Sequence, residues 1–129
     1  MNPTPPSVVR IGAELDAVTE AWRPSTIASL NDHEVKVARL DGEFVWHLHE
    51  EEDELFLPIR GRLRVEFRDR VVELGPGELL VVPRGVEHRP VADEPVECVL
   101  IQRAGVRNTG NVEHPTLTAP QDNDAAEER

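Results

Sequence analysis

The amino-acid sequence predicts an all-β domain of the antiparallel sandwich or jelly-roll class. From residue 35 onward, short segments rich in Val, Leu, Ile and Phe alternate with turn signals, and no convincing helical pattern separates them. The predicted strands lie near 35–40, 43–49, 54–59, 62–68, 71–74, 79–83, 87–92 and 95–103. Many short strands with closely spaced turns are typical of sandwiches and jelly rolls.

The first third of the chain carries a short helical pattern. Leu15, Val18 and Trp22 recur at helical spacing, which predicts a short N-terminal helical segment. Pro24 ends this segment, because the residue before a proline is pushed out of the helical conformation.

Turn signals predict where the strands end. Asp41-Gly42 is typical of a type I′ turn and predicts a hairpin between 35–40 and 43–49. Glycine, proline and aspartate mark further corners at 60–61, 68–69 and 75–77. Pro58 falls inside a predicted strand, where its missing N–H predicts an edge position or a bulge.

Chain length predicts one domain. The 129 residues suffice for a single core, which we assign to residues 8–112. Residues 1–7 and 113–129 contain little that a core would bury. We therefore expect a disordered N-terminus and a flexible, acidic C-terminal tail.

Charge and composition exclude several classes of partner. The formal net charge of −11 repels phosphate backbones, so we expect no nucleic-acid partner. The longest apolar run, 79–82, is far too short to cross a membrane, and no secretory signal is visible. Cys98 is the single cysteine, which excludes an internal disulfide. These features predict a soluble, cytoplasmic protein.

A cluster of potential metal ligands is the main functional signal. Residues two apart on a strand point to the same face, so His47 and His49 should project together. The polar connection 50–53 returns the chain to place Glu54 beside them, and His88 arrives from a distant strand. Imidazole and carboxylate groups are ligands for a borderline divalent metal. The sequence therefore predicts a site of three histidines and one glutamate.

Segments 42–61 and 77–92 resemble the paired signatures of the cupin superfamily. The first signature is represented by Gly42, His47-x-His49, Glu54 and Gly61, and the second by Gly77, Pro83-x-Gly85 and His88. Two departures are a spacing of four residues, rather than five, between Gly42 and His47, and Ala92 where asparagine is common.

The remaining sequence is similar to small cupins of the mannose-6-phosphate-isomerase-like group. This resemblance implies a jelly-roll β-barrel and a homodimer. It also implies one internal metal held by His47, His49, Glu54 and His88. Fe(II), Mn(II), Ni(II), Zn(II) and Cu(II) all accept this ligand set.

Strand parity suggests which residues could contact a substrate. Phe56 should share the inward face with Glu54, and Gln102 shares a face with Cys98 and Leu100. On strand 35–40 the inward set is either Val35, Val37 and Arg39, or Lys36, Ala38 and Leu40. The candidate substrate-binding residues are therefore Lys36, Arg39, Phe56 and Gln102. An inward Lys36 or Arg39 would offer a cation to an anionic substrate.

Two functions fit these features. The first is a small metal-dependent enzyme acting on a polar small molecule, by isomerase, lyase or dioxygenase chemistry. The alternative is a non-catalytic cupin that binds or senses a sugar or organic acid. An inward Lys36, Arg39 or Gln102 together with a carboxylate from loop 50–53 would favour the enzyme. A pocket without acid or base beyond the metal ligands would favour the binding module.

Overall fold

The protein, studied as a computed structural model that describes residues 6–119, is built almost entirely from antiparallel strands. Within that range one short helix, α1 (Ile11–Asp16), precedes seven strands. They are β1 (Ser25–Leu30), β2 (His33–Glu43), β3 (Glu54–Arg60), β4 (Leu63–Phe67), β5 (Val71–Leu74), β6 (Leu80–Val82) and β7 (His88–Arg103). The all-β prediction with a short N-terminal helical segment is confirmed. None of the described helices is long and apolar enough to span a membrane.

Strand β7 organises the barrel. Its beginning pairs with β4, from Phe67↔His88 to Arg64↔Val91, and its end pairs with β3. Strand β2 runs along the opposite edge of β7, and β6 extends the sheet beyond β3. Because one long strand has different neighbours at its two ends, the sheet bends around a common interior.

Two apolar clusters lie on opposite sides of this curved sheet. The interior cluster consists of Trp22, Ala38, Leu40, Phe44, Phe56, Leu63, Val65, Leu74, Val82, Ala92, Val96, Cys98 and Leu100. The second cluster consists of Leu15, Val18, Val37 and Val99, where the N-terminal segment covers the outer face. Burying each large apolar side chain contributes ~2 kcal/mol to stability, so both faces contribute to the fold.

Alternation along β2 resolves the face that the sequence left open. Ala38 and Leu40 pack into the interior cluster, whereas Val37 packs outside against the N-terminal segment. By the same alternation Lys36 faces inward and Arg39 faces outward. Both faces of this strand are covered, which is why its sequence shows no polar side.

Five details differ from the sequence prediction. The polar strand β1 was not predicted, and the predicted strand 43–49 is reduced to an isolated bridge between His47 and His88. The hairpin at Asp41-Gly42 is wrong, because these residues lie inside β2 at a register shift. Segments 87–92 and 95–103 form one continuous strand, β7, because β2 pairs with residues on both sides of 93–95. The helix ends at Asp16, so Val18 and Trp22 lie beyond it, and Trp22 has a left-handed backbone (φ 62°).

The sequence also made predictions about Pro58 and about the two terminal segments. A register shift follows Pro58 in the pairing of β3 with β7, so the predicted bulge is present. Residues 115–117 form a turn, and the carbonyl oxygen of Thr118 accepts a hydrogen bond from Arg23. Residues 1–5 and 120–129, for which we predicted disorder and flexibility, lie outside the described range. The domain boundaries and the flexibility of the tail stay predictions.

Candidate metal centre

The four residues singled out in the sequence meet inside the barrel. One ligand atom from each of His47, His49, Glu54 and His88 lies within 4.8 Å of the others, and all four side chains are buried. His47 and His49 lie on the connection between β2 and β3, Glu54 begins β3 and His88 begins β7. The cluster is therefore assembled from three separate parts of the chain.

Backbone hydrogen bonds hold these three parts together. The N–H of His47 donates to the carbonyl of His88 (3.0 Å), and the N–H of His88 donates to the carbonyl of His47 (2.9 Å). The N–H of Gly85 donates to the carbonyl of His49 (2.8 Å), which attaches the turn before β7 to the same segment. These bonds fix the histidine backbones without using any ring nitrogen.

Two of the imidazole rings are oriented by carbonyl groups of their own chain. The Nδ1–H of His47 donates to Val45 O (2.9 Å), and the Nδ1–H of His88 donates to Val86 O (3.0 Å). With Nδ1 protonated, the Nε2 lone pair is free to bind a metal. The same arrangement orients the metal-binding histidines of many proteins.

One buried nitrogen of the cluster lacks a hydrogen bond. His88 Nε2 has no hydrogen-bond partner within residues 6–119, and its 3.6 Å distance from Glu54 Oε1 is too long for one. That carboxylate oxygen instead lies 3.1 Å from His49 Nε2. Buried polar atoms are nearly always paired, so an unpaired nitrogen among three further donor groups fits a metal ligand. The donor set suits a divalent transition metal.

Electrostatics prepare two of the ligands for metal binding. Burial and the neighbouring His88 lower the pKa of His47 to about 4, so its ring is neutral at physiological pH. Burial alone would raise the pKa of Glu54, but its hydrogen bond with His49 and the nearby His88 ring outweigh it and lower that pKa to about 2. Metal ions bind neutral imidazole and ionised carboxylate.

The pKa of His49 is shifted in the opposite direction from that of His47. Burial works to lower its pKa, but the hydrogen bond and the negative charge of Glu54 prevail, and the pKa of His49 is raised. At His49 a metal therefore competes with a proton.

The cluster adjoins a cavity inside the barrel. The cavity has about 370 Å³ of free space, part of it open to solvent. It is lined by Trp22, Pro24, Leu40, Phe44, His47, Glu54, Phe56, Pro90, Leu100, Gln102 and Asn108. The wall is mainly apolar, and two of its polar members, His47 and Glu54, belong to the cluster. A small molecule in the cavity would lie against the candidate ligands.

Comparison with known proteins identifies the family. The Cupin_2 family, a cupin domain, matches residues 33–102, which is more than half of the chain. The chain belongs to the cupin family. The uncharacterized protein YdbB of Bacillus subtilis (strain 168) is 38% identical over 73 residues, which are 56% of this chain and 65% of that relative. The match thus spans less than two thirds of the relative's length.

Solved structures agree with this assignment. A cupin-2 domain containing protein from Shewanella frigidimarina NCIMB 400 is 38% identical, with a TM-score of 0.73 over 74% of this chain and 94% of that one. Protein NMB1881 from Neisseria meningitidis is 28% identical, with a TM-score of 0.70 over 76% of this chain and 100% of that one. The cupin barrel described above is therefore shared with proteins of known structure.

The four candidate substrate residues separate into two pairs. Phe56 and Gln102 line the cavity of this cupin. Lys36 is buried on the inward face of β2 but is not part of the cavity wall, and its Nζ lies 3.7 Å from Glu34 Oε1.

Arg39 has a different environment, because of the two faces that the sequence left open for it the structure shows the outer one. Its guanidinium donates to the carbonyls of Leu15 and Val18 and to Glu97 Oε2, each at 2.7 Å. Because β2 directs this side chain to the outer face, Arg39 fastens the N-terminal segment to the sheet.

Sequence reasoning missed the part of the cavity wall that is formed by the segments before β1 and after β7. Trp22 stacks on Phe44 with ring centroids 4.4 Å apart, and both rings line the cavity. Asn108 also lines it, while its amide nitrogen donates to Trp22 O (3.2 Å) and Leu117 O (2.8 Å). The turn-like stretch at 107–110 was a weak signal for this role. The pairing of residues so far apart in the chain had no signal at all.

Two further residues of the barrel do not belong to the donor cluster. Trp46 points away from the cluster, with the guanidinium carbon of Arg68 3.8 Å from its ring centroid. Cys98 is fully buried in the barrel core, and burial raises the pKa of its thiol to about 12.

The carboxylates of loop 50–53 are not part of the cavity wall. Glu50, Glu51 and Glu52 line a separate groove with His49 and Arg107.

Proposed function

We propose that this cupin holds one divalent transition metal through His47, His49, Glu54 and His88 and acts on a small organic molecule in the adjoining cavity. The reaction would be of isomerase, lyase or dioxygenase type. The observation that carries the proposal is that His47 and Glu54 belong both to the donor cluster and to the cavity wall. The bound metal would supply Lewis acidity toward a carbonyl, carboxylate or enediol oxygen.

The residues of the chain would position both the metal and the small molecule. Carbonyl groups keep the Nε2 atoms of His47 and His88 directed into the cluster. The aromatic wall of Trp22, Phe44 and Phe56 would exclude water and orient an apolar part of the ligand. Three nitrogens and one oxygen leave open coordination positions on a five- or six-coordinate metal.

The composition of the wall argues against a phosphorylated sugar. The cavity wall, as far as residues 6–119 form it, contains neither arginine nor lysine. Such cations are the usual partners of phosphate groups. The similarity to mannose-6-phosphate-isomerase-like cupins is therefore not extended to that substrate.

A second candidate function is non-catalytic binding of a small molecule. Within the described chain, His47 and Glu54 are the only titratable groups in the cavity wall. Most proton-transfer reactions require an acid or base beyond the metal ligands. This observation favours a binding or sensing module, in which the metal anchors the ligand without turnover.

Metal analysis tests the part that both functions share. Protein purified without added metal or chelator should contain about one equivalent, and His88→Ala should lose most of it because one of four ligands is removed. His33→Ala is the matched control, because that histidine is half exposed and remote from the cluster. Equal metal content in the wild type and His88→Ala would contradict the assignment. So would a wild type that takes up no metal on reconstitution.

A turnover experiment distinguishes the enzyme from the binding module. Metal-loaded protein and His88→Ala are incubated in parallel with small 2-oxo acids, hydroxy acids and catechols, and products are followed by NMR spectroscopy. Product formed only by the metal-loaded wild type would support the enzyme. Ligand-induced shifts without any product would support the binding module. If the metal is iron, oxygen consumption is measured in the same samples.

A further inference from the structure

Gln102 carries a buried polar atom that the fold does not use. Its side chain lines the cavity, and the residue is only 1% exposed. The carbonyl oxygen, Oε1, has no hydrogen-bond partner in the described part of the chain. A buried oxygen left unpaired destabilises the folded state, so proteins rarely retain one without a reason.

The position of Gln102 in the sheet places it beside the candidate metal ligand Glu54. Leu55 pairs with Ile101 where β3 meets β7, so Glu54 and Gln102 are the next positions along the same register. Neighbouring strands are ~4.8 Å apart, and both side chains reach the cavity wall. Gln102 therefore lies beside the candidate ligand Glu54 in the cavity wall, where a molecule bound at the cluster would be within reach of its side chain.

Asn108 provides an internal contrast. This second amide of the cavity wall donates to Trp22 O and Leu117 O and accepts a hydrogen bond from Ala119 N at 2.8 Å. Its hydrogen bonds join the chain ends to the barrel, which is a structural role. Gln102 has no corresponding role, so its amide is available to a ligand.

The rest of the wall limits what kind of ligand would use this oxygen. Three aromatic rings and two leucines surround the cavity, and the wall described here has no cationic side chain. An apolar, flat body suits these surfaces, whereas a polyphosphate or a highly hydroxylated sugar would leave its polar groups unpaired.

We propose that Gln102 Oε1 accepts a hydrogen bond from an O–H or N–H group of the ligand. The ligand class is an apolar-bodied organic acid or carbonyl compound, such as a hydroxylated aromatic acid. Its carboxylate or carbonyl oxygen would bind the metal, its body would pack on Phe56 and Trp22, and its donor would reach Gln102. The metal-bound end of this assignment rests on the function proposed above, but the role of Gln102 does not.

The first test needs neither metal nor ligand. In metal-free protein, Gln102→Leu should raise Tm by roughly 5 °C, because it removes an unpaired buried oxygen and keeps the volume. Asn108→Leu is the matched control and should lower Tm by at least as much, because it breaks hydrogen bonds that the fold uses. A fall in Tm for Gln102→Leu comparable to that of Asn108→Leu would overturn the proposal.

The second test measures ligand selectivity on metal-loaded protein. Benzoate and its 2-, 3- and 4-hydroxy derivatives are titrated by calorimetry, with the metal content of each sample measured alongside. The best hydroxybenzoate should bind wild type about tenfold more tightly than benzoate, and this ratio should fall close to one in Gln102→Leu. An unchanged ratio in the variant, or no hydroxyl preference in wild type, would overturn the assigned ligand class. Absence of metal from wild type would instead contradict the proposed function and leave the first test to decide the role of Gln102.

Discussion

Gly110 is the position where one methyl group should disturb the candidate site most directly. A Cβ at this residue would lie 2.2 Å from Leu48 O, 2.9 Å from Leu48 C and 3.1 Å from His47 Cδ2. The nearest atoms belong to the backbone between His47 and His49, which cannot rotate away as a flexible side chain does. The glycine also has φ +58°, a left-handed backbone that disfavours any residue with a Cβ.

The structure allows the cost of Gly110→Ala to be divided into parts. The left-handed backbone accounts for ~1 kcal/mol of lost stability. Relieving the overlap requires a backbone shift of about 1 Å, and overpacking of this kind costs roughly 1–3 kcal/mol. The shift would also weaken two hydrogen bonds, from Asn111 N to Leu48 O (3.0 Å) and from Leu48 N to Asn111 Oδ1 (2.9 Å). We expect a total loss of about 3 kcal/mol.

Gly105 supplies the control for this experiment. It has a similar left-handed backbone, φ +80°, but no atom lies within 4 Å of the position a Cβ would take. Gly105→Ala should therefore lose only the backbone part, ~1 kcal/mol. Urea unfolding of both variants gives the two values. Losses that agree within about 0.5 kcal/mol, the error of such a comparison, would refute the close packing of Gly110 on the ligand segment.

Three further predictions concern groups around the site. The pKa of His47 is lowered from 6.5 to about 4 in the folded protein, so between these pH values the unfolded state takes up a proton at His47 more readily than the folded state. The free energy of unfolding therefore falls as the pH falls through this interval. In metal-free protein, the free energy of unfolding of His47→Gln should therefore rise relative to that of wild type by roughly 1 kcal/mol for each pH unit by which the pH is lowered in this interval. Plots of unfolding free energy against pH that run parallel for the two proteins would contradict this. Arg39→Met should lower the free energy of unfolding by about 2 kcal/mol, because it removes two hydrogen bonds to the N-terminal segment and one to Glu97 of β7. Arg60→Met, at an exposed partner of the same Glu97, should change it little, and equal losses would rule out the fastening role. Cys98 should react with a thiol reagent only as fast as the protein unfolds, since it is buried with a pKa raised to about 12; rapid labelling of folded protein would be inconsistent with this burial.

Three of the four candidate ligands were predictable from local spacing, and His88 was predictable from the second motif, 77–88. His47 and His49 are separated by one residue, and a short polar connection leads to Glu54, so strand geometry alone suggests a common face. The face of β2 was not predictable. The N-terminal segment covers the outer face of β2, so the outer residue Val37 is apolar like the inner residue Ala38. The alternation of polar and apolar residues that normally identifies the core-facing side of a strand is therefore absent.

Strand boundaries failed where long-range pairing overrides local signals. Asp41-Gly42 has the sequence of a tight turn, yet β2 continues through it because both sides of the shift pair with β7. The polar segment Ser25–Leu30 becomes β1 because β2 offers it a free edge, and not because of its own composition.

The sequence alone determined the fold class, the family resemblance and the identity of the four candidate ligands, because strand period and the spacing within each of the two motifs are properties of neighbouring residues. Tertiary structure decided what surrounds them. It directed Arg39 to the outer face, left Gln102 unpaired in the cavity and placed Trp22 and Asn108 in its wall. These outcomes depend on which distant segments cover each face of the sheet, and that information is not present in any local stretch of the chain.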